Sequence, residues 1–208
     1  MGKHVEYRPE WVREDFIDFL AEKVNPLWAW KKAKARIVAK YHLSDDFVHM
    51  QLQPNHHFKA TDYQAGQSIL VTVLIAGVRW QRSYSIVDIL ENGNLVIAVK
   101  QQGKVSNALT QQPVKSIVEI SKPQGEFVLK SQPHSALMIA SGSGITAIYA
   151  LINAALKRPQ TVSNIDLIYF TRDDSFHAEL QQLTEHYPQF KYHHVNTRTH
   201  KQHLSQDL

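Results

Sequence analysis

Residues 135–158 read SALMIASGSGITAIYALINAALKR. SALMIA is an apolar run of strand length and SGSG is a glycine turn. ITAIYALINAALKR then carries Ile145, Ile148, Ile152 and Ala155 or Leu156 on one side of a helix. An apolar strand of this kind suits a parallel sheet buried on both faces. IDLIYF follows as a second such strand, then a helical stretch from about Ser175 to His186 and a strand at FKYHHV. Strand, helix, strand, helix, strand is the start of a doubly wound parallel α/β sheet.

The turn inside that stretch is Gly142-x-Gly144-x-x-Ala147. It directly follows a strand and opens a helix, the context that a dinucleotide fingerprint requires. Without a Cβ, Gly142 and Gly144 let the backbone turn tightly and approach a pyrophosphate, while the free N–H groups of the helix start point at the anion. Thr146 stands in the first turn, where its hydroxyl could reach a ligand or cap the helix. Glycines before helices also serve plain turns. The second strand ends in Thr171-Arg172, where a carboxylate would hold a ribose 2′-hydroxyl. Arg172 fits a 2′-phosphate and hence NADP, the alternative being a surface arginine paired with Asp173 or Asp174.

Upstream, from Lys34, the texture is different. KARIVAKYHL, FVHMQLQP, QSILVTVLI, VRWQRSYSIV, NLVIAVKQ and SIVEISKP are short alternating segments, separated by turn signals such as Ser44-Asp45-Asp46, Pro54-Asn55, Ala76-Gly77 and Glu91-Asn92-Gly93-Asn94. Six strands at close, even spacing predict an antiparallel barrel or sandwich. In the fourth, WQRSYSIVDI (80–89), alternation puts Arg82 and Tyr84 on one side. That side is either an ordinary solvated strand face or a place where both residues meet one extended ligand. After the fifth comes KQQGKVSNAL (100–109), in which Gly103 and Ser106 can present N–H groups and a hydroxyl to a phosphate and Lys104 adds charge. A glycine turn with a serine cap is the plainer meaning.

Composition narrows the chemistry. The chain has 208 residues, 43% of them hydrophobic and 20% charged, which suits a folded protein of one large or two small domains. The net charge of +4 comes from 23 basic and 19 acidic residues without long Lys/Arg blocks, so nucleic acid is not an expected partner. There are no cysteines, which excludes disulfides, thiolate zinc sites and cysteine-ligated iron–sulfur clusters from the chain; redox chemistry would need a bound organic cofactor. Twelve histidines include His200-x-x-His203, but no carboxylate cluster accompanies them and no metal site is expected. No leader or membrane-spanning run is visible, so the expected compartment is the cytoplasm. Residues 10–30, EWVREDFIDFLAEKVNPLWAW, have apolar residues at helical spacings and predict an N-terminal helix. Its greasy face would pack on the protein or contact a membrane surface or partner.

Three sites occur in a fixed order: RSYS in a barrel strand, GKVSNAL about 20 residues later and GSGIT about 35 residues after that, ahead of a βαβ unit. In this the sequence resembles the ferredoxin–NADP reductase-like flavoprotein superfamily over roughly residues 35 to 195. FIDFLAEKVNPLW, YQAGQSILV, RSYSI, GKVSNAL and SGSGIT look most like the flavodoxin/ferredoxin reductase-type oxidoreductases that serve fatty-acid desaturases and hydroxylases.

The resemblance implies a helical extension at 1–33, an FAD-binding six-stranded antiparallel β-barrel at 34–132 and a partial, doubly wound NAD(P)-binding α/β domain at 133–208. Arg82 would bind the flavin phosphates, Tyr84 would stack on the isoalloxazine, and Ser85 would hydrogen-bond near the flavin nitrogen that takes the hydride. Tyr84 and Ser85 are thus the expected catalytic pair, with Ser83, Val99 and Lys100 as further cofactor contacts. Gly103, Lys104, Val105 and Ser106 would hold the pyrophosphate, and Gly142, Ser143, Gly144, Ile145 and Thr146, with Arg172, would face the nicotinamide nucleotide. The expected cofactor is FAD, with FMN the lesser alternative and NAD(P)H the co-substrate. The partner would be a ferredoxin, flavodoxin, desaturase or hydroxylase.

Two departures stand out. Ala147 replaces the family's usual proline, and only about 75 residues follow position 133, where such domains run beyond about 100. The family's Cys-Gly-Pro segment and appended [2Fe–2S] domain have no counterpart. The expectation is a truncated form of a longer reductase, with a flavin-binding module lacking turnover of its own as the alternative.

Overall fold

Alternating side chains close the first six strands into a barrel. In the computed structural model, which describes residues 32–129, 135–157 and 163–198 together with 20, 23–25, 27 and 28, these are β1 (Lys34–His42), β2 (Phe47–Pro54), β3 (Ser68–Ile75), β4 (Val78–Ile89), β5 (Leu95–Lys100) and β6 (Ile117–Ile120). Antiparallel pairing joins them in the order β1-β2-β5-β4-β3-β6. Their inward residues, among them Ile37, Met50, Leu52, Ile69, Val71, Ile86 and Ile97, are fully buried in one core. The β3–β4 hairpin turns on Ala76 and Gly77, at φ 49° and 78°. Positive φ at both central residues gives the twist that matches paired strands.

One irregularity makes room for a site. β4 pairs with β3 along Val78–Ser85 but with β5 only from Ile86 to Ile89, across a bulge between Ile86 and Asp88. The first half of β4 therefore leaves its β5 neighbour and opens the wall. Helix α1 (Lys104–Gln111) fills the base of the opening, with Val105 and Leu109 buried in the barrel core.

The second unit is a parallel sheet, β7-β8-β9, of Ser135–Ser141, Asn164–Thr171 and Phe190–Asn196, connected by α2 (Ile145–Leu156) and α3 (His177–His186). Met138, Ala140, Ile165, Leu167 and Tyr169 form a common core with Ile145, Ile148, Ile152 and Leu180 from the helices. Phe47, Val87, Val96 and Ala98, on the outside of the barrel, belong to the same core. This explains why β5 is apolar throughout: Leu95, Ile97 and Val99 point into the barrel while Val96 and Ala98 pack outward on the second unit.

SALMIA differs from the expected doubly buried strand. Leu137 is 65% and Ile139 46% exposed. Among the described residues the connecting helices pack on the opposite face of the sheet, where Met138 and Ala140 are buried. The predicted N-terminal helix lies outside the described residues except for Leu20, Lys23–Asn25, Leu27 and Trp28, and so do His200 and His203. No helix among the described residues is long and apolar enough to cross a membrane.

Candidate functional site

Where β4 parts from β5, the barrel and the second unit share a cavity of about 500 Å³. Trp80, Arg82, Ser83, Tyr84 and Ser85 form its β4 wall, Ala98 and Lys100 come from β5, and Gln102 to Ser106 form the turn into α1. Ser143, Gly144, Thr146 and Ala147 close it from the start of α2. The three motifs, well separated in sequence, thus line one space.

Each wall has a local cause. Register pairs Tyr84 with Ile69 and Arg82 with Val71, so both side chains leave the face of β4 that further along fills the barrel. Tyr84 packs on the barrel core and burial pushes its hydroxyl up to about 12, although the Arg82 guanidinium pulls the other way. That hydroxyl and the Trp80 indole N–H are both buried without a hydrogen-bond partner among the described residues. Orphaned polar atoms in a cavity wall are costly unless a ligand meets them.

At α1, the Ser106 hydroxyl accepts from the amides of Gln102 (3.2 Å) and Gly103 (3.1 Å) and donates to the Gly103 carbonyl (3.0 Å). Ser106 therefore fixes the turn. By helix geometry the next amides, at Lys104, Val105 and Ser106, have no intrahelical acceptor and favour an anion. Gly103 has an extended backbone, φ −165°, and a Cβ there would meet open space. Neither packing nor backbone geometry demands glycine, and without a Cβ the turn is open to the cavity. The Lys104 ammonium lies over the Trp80 ring, 4.4 Å from its centroid.

On the facing side, Gly142–Gly144 form one 3₁₀ turn before α2, with Gly142 at φ +51°. The buried Tyr169 hydroxyl donates to the Gly142 carbonyl (3.2 Å), and Thr146 donates to the carbonyl of Ser143 (3.0 Å). The Thr146 hydroxyl thus ties back to the turn and leaves the helix start without a side-chain cap, while its residue borders the cavity.

Not every expected residue turns its side chain to the space. Val99 and Ile145 are fully buried in the two cores, and Gly142 lies behind the lining. Arg172 is exposed at the end of β8 and does not line the cavity. Lys100 does border it, but its ammonium is held between Asp173 (3.3 Å) and Asp46 (3.4 Å). Sequence reasoning left out Trp80, Ala98 and Gln102. The signal for Trp80 was available, because alternation from Arg82 and Tyr84 continues to it.

The residues fit a dinucleotide: an aromatic face and arginine fork on β4, a helix start with spare amides, and a glycine loop opposite. Residues 34–129 match the family of oxidoreductase FAD-binding domains, and residues 138–207 match that of oxidoreductase NAD-binding domains. Among curated proteins, a flavohemoprotein from Burkholderia sp. (strain TH2) is 29% identical over 177 residues, 82% of this chain and 44% of that protein. An NADPH oxidoreductase of Mycobacterium tuberculosis is 31% identical over 179 residues, 80% and 46% of the two chains. An NADH-cytochrome b5 reductase 1 of Mortierella alpina is 27% identical over 182 residues, 84% and 61%. The chain therefore spans between 44% and 61% of the length of these relatives.

Among solved structures, the FAD/NAD-binding domain of a nitric oxide dioxygenase from Vibrio cholerae superposes with a TM-score of 0.70 at 22% identity, covering 79% of this chain and 74% of that one. Ferredoxin-NADP+ reductase from Plasmodium falciparum gives 0.68 at 21%, covering 80% and 75%. Closed flavin barrel, parallel nucleotide sheet and two successive domain matches together place this chain in the ferredoxin–NADP reductase-like flavoprotein superfamily.

Proposed function

We propose that the protein is a flavin-dependent oxidoreductase that takes electrons from NAD(P)H through FAD and delivers them to an iron–sulfur or flavodoxin carrier protein. The observation that carries this reading is the shared cavity, on which β4, the α1 turn and the α2 loop converge. When bound there, FAD supplies a group that accepts two electrons as hydride and gives them up singly.

The chain's own part is positioning. The Tyr84 ring gives a flat apolar face, the Arg82 fork and the first amides of α1 hold phosphate, and Ser85 places a hydroxyl on the same wall. Ser143, Gly144 and Thr146 bring the nucleotide loop against that wall, where they would hold a nicotinamide nucleotide beside the flavin. Arg172, exposed at the end of β8, supports recognition of a 2′-phosphate and hence NADPH.

Anaerobic titration of the FAD-loaded protein with NADPH and with NADH tests the proposal. Bleaching of the flavin bands is expected, and Arg172→Gln should weaken the response to NADPH alone. A protein that holds FAD but is bleached by neither would be a flavin-binding module without turnover.

A further inference from the structure

Trp80 belongs to the cavity wall but to none of the three motifs. It stands two residues before Arg82 on the same side of β4, at the end away from Tyr84, Ser85 and the nucleotide loop. A strand rises about 3.3 Å per residue, so the Tyr84 and Trp80 positions are about 13 Å apart, with the phosphate-binding elements Arg82 and the α1 turn between them. The indole packs on the barrel core. Its N–H has no partner among the described residues, and the Lys104 ammonium covers one ring face at 4.4 Å.

The arrangement is aromatic ring, phosphate site, aromatic ring. This is the order of parts in an extended flavin adenine dinucleotide, whereas a mononucleotide would use only the first ring and the phosphate site. We infer that Trp80 is the stacking platform for the adenine of FAD, and that Lys104 is the cation its ring holds beside the diphosphate. The inference rests on the flavin reading of the cavity and adds to it the residue that selects dinucleotide over mononucleotide. Lys104 moves from the indole to the phosphates on binding, uncovering the face that the adenine takes.

The test is equilibrium binding of FAD and of FMN to the purified protein, stripped of flavin, followed by flavin fluorescence. A base on an aromatic ring raises affinity by about tenfold or more. Wild-type protein should bind FAD at least about tenfold tighter than FMN. Trp80→Leu should lose that margin with FMN affinity kept within about twofold, and Trp80→Phe should retain most of it. Lys104→Gln should weaken both flavins, because both carry phosphate. Unchanged FAD affinity in Trp80→Leu would overturn the inference and leave the flavin reading standing. So would an equal loss of both flavins, since that reports damage to the fold or to the isoalloxazine site. Wild-type protein that binds neither flavin would overturn both.

Discussion

The Lys100 ammonium, at the end of β5 in the barrel, lies 3.3 Å from the Asp173 carboxylate in the loop leaving β8. It also reaches Asp46 (3.4 Å), in the β1–β2 turn, and lies over the Phe47 ring, 5.2 Å from its centroid. Burial alone would raise the Asp173 carboxyl, but hydrogen bonds from the Ser175 hydroxyl and amide, and then Lys100, hold it below the usual carboxylate value. One cation thus ties both domains together beside the cavity.

Lys100→Met should therefore cost about 1–3 kcal/mol, because it leaves Asp173 half-buried without its cation. A double-mutant cycle with Asp173→Asn, read by denaturant unfolding, should give a coupling well above that of an exposed pair such as Lys157–Asp88. Equal couplings would mean that the tie contributes nothing special.

Phe176 completes the domain contact. It is fully buried, its ring meeting Phe47 at 5.7 Å, His49 at 5.5 Å and Tyr149 at 5.2 Å, although its backbone sits at φ 63°. A bulky residue in that conformation is strained and persists only because the packing outweighs the cost. Phe176→Ala should destabilise by about 3–5 kcal/mol. Phe176→Gly should be no worse than Phe176→Ala, the reverse of the usual order, because glycine alone accepts this backbone without strain. Thermal unfolding of the two variants decides the point.

His49 makes the same interface acid-sensitive. Burial lowers its pKa to about 4 from an ordinary 6.5, and its Nε2 is buried without a partner among the described residues. Between those values the unfolded chain binds the proton and the folded one resists it. Stability is therefore complete above about pH 6.5 and falls as pH drops towards 4, by at most about 1.4 kcal/mol per unit. His194, lowered by burial and then by His177, acts in the same direction. His49→Gln should flatten part of the slope of unfolding free energy across that window. Asp173 would not mimic the effect, since a depressed carboxyl loses its contribution only at lower pH.

Gly103→Val separates folding from binding. Its extended backbone suits valine and a Cβ there meets open space, so unfolding should shift by no more than the roughly 1 kcal/mol that a poorer helix N-cap costs. The added methyls project where a phosphate would approach the α1 amides, and flavin affinity should fall about tenfold or more. An unaltered flavin titration would place the phosphate elsewhere.

Much of this was legible in the sequence, and for a physical reason in each case. Alternation is a local property, so six barrel strands and the Arg82–Tyr84 face could be read from it. The glycine turn at 142–144 announces itself because it breaks an apolar strand before an apolar helix. What could not be read depends on contacts between distant segments. That SALMIA buries only one face follows from where the helices pack, and periodicity does not report it. That Lys100 serves two aspartates depends on Asp46 and Asp173 meeting across a domain boundary, and Phe176 hides in a loop whose backbone conformation its residue type disfavours. Trp80 lies outside the three motifs, although the alternation that sets Arg82 and Tyr84 on one face extends to it.

The most direct test of the central claim is the visible absorption spectrum of the protein reconstituted with FAD and freed of excess, followed by identification of the flavin released on denaturation. Flavin bands at one FAD per chain are expected, with marked loss in Arg82→Ala and Tyr84→Ala. A folded protein that never retains flavin, or whose flavin content ignores both substitutions, would contradict the assignment of the cavity between β4, α1 and α2.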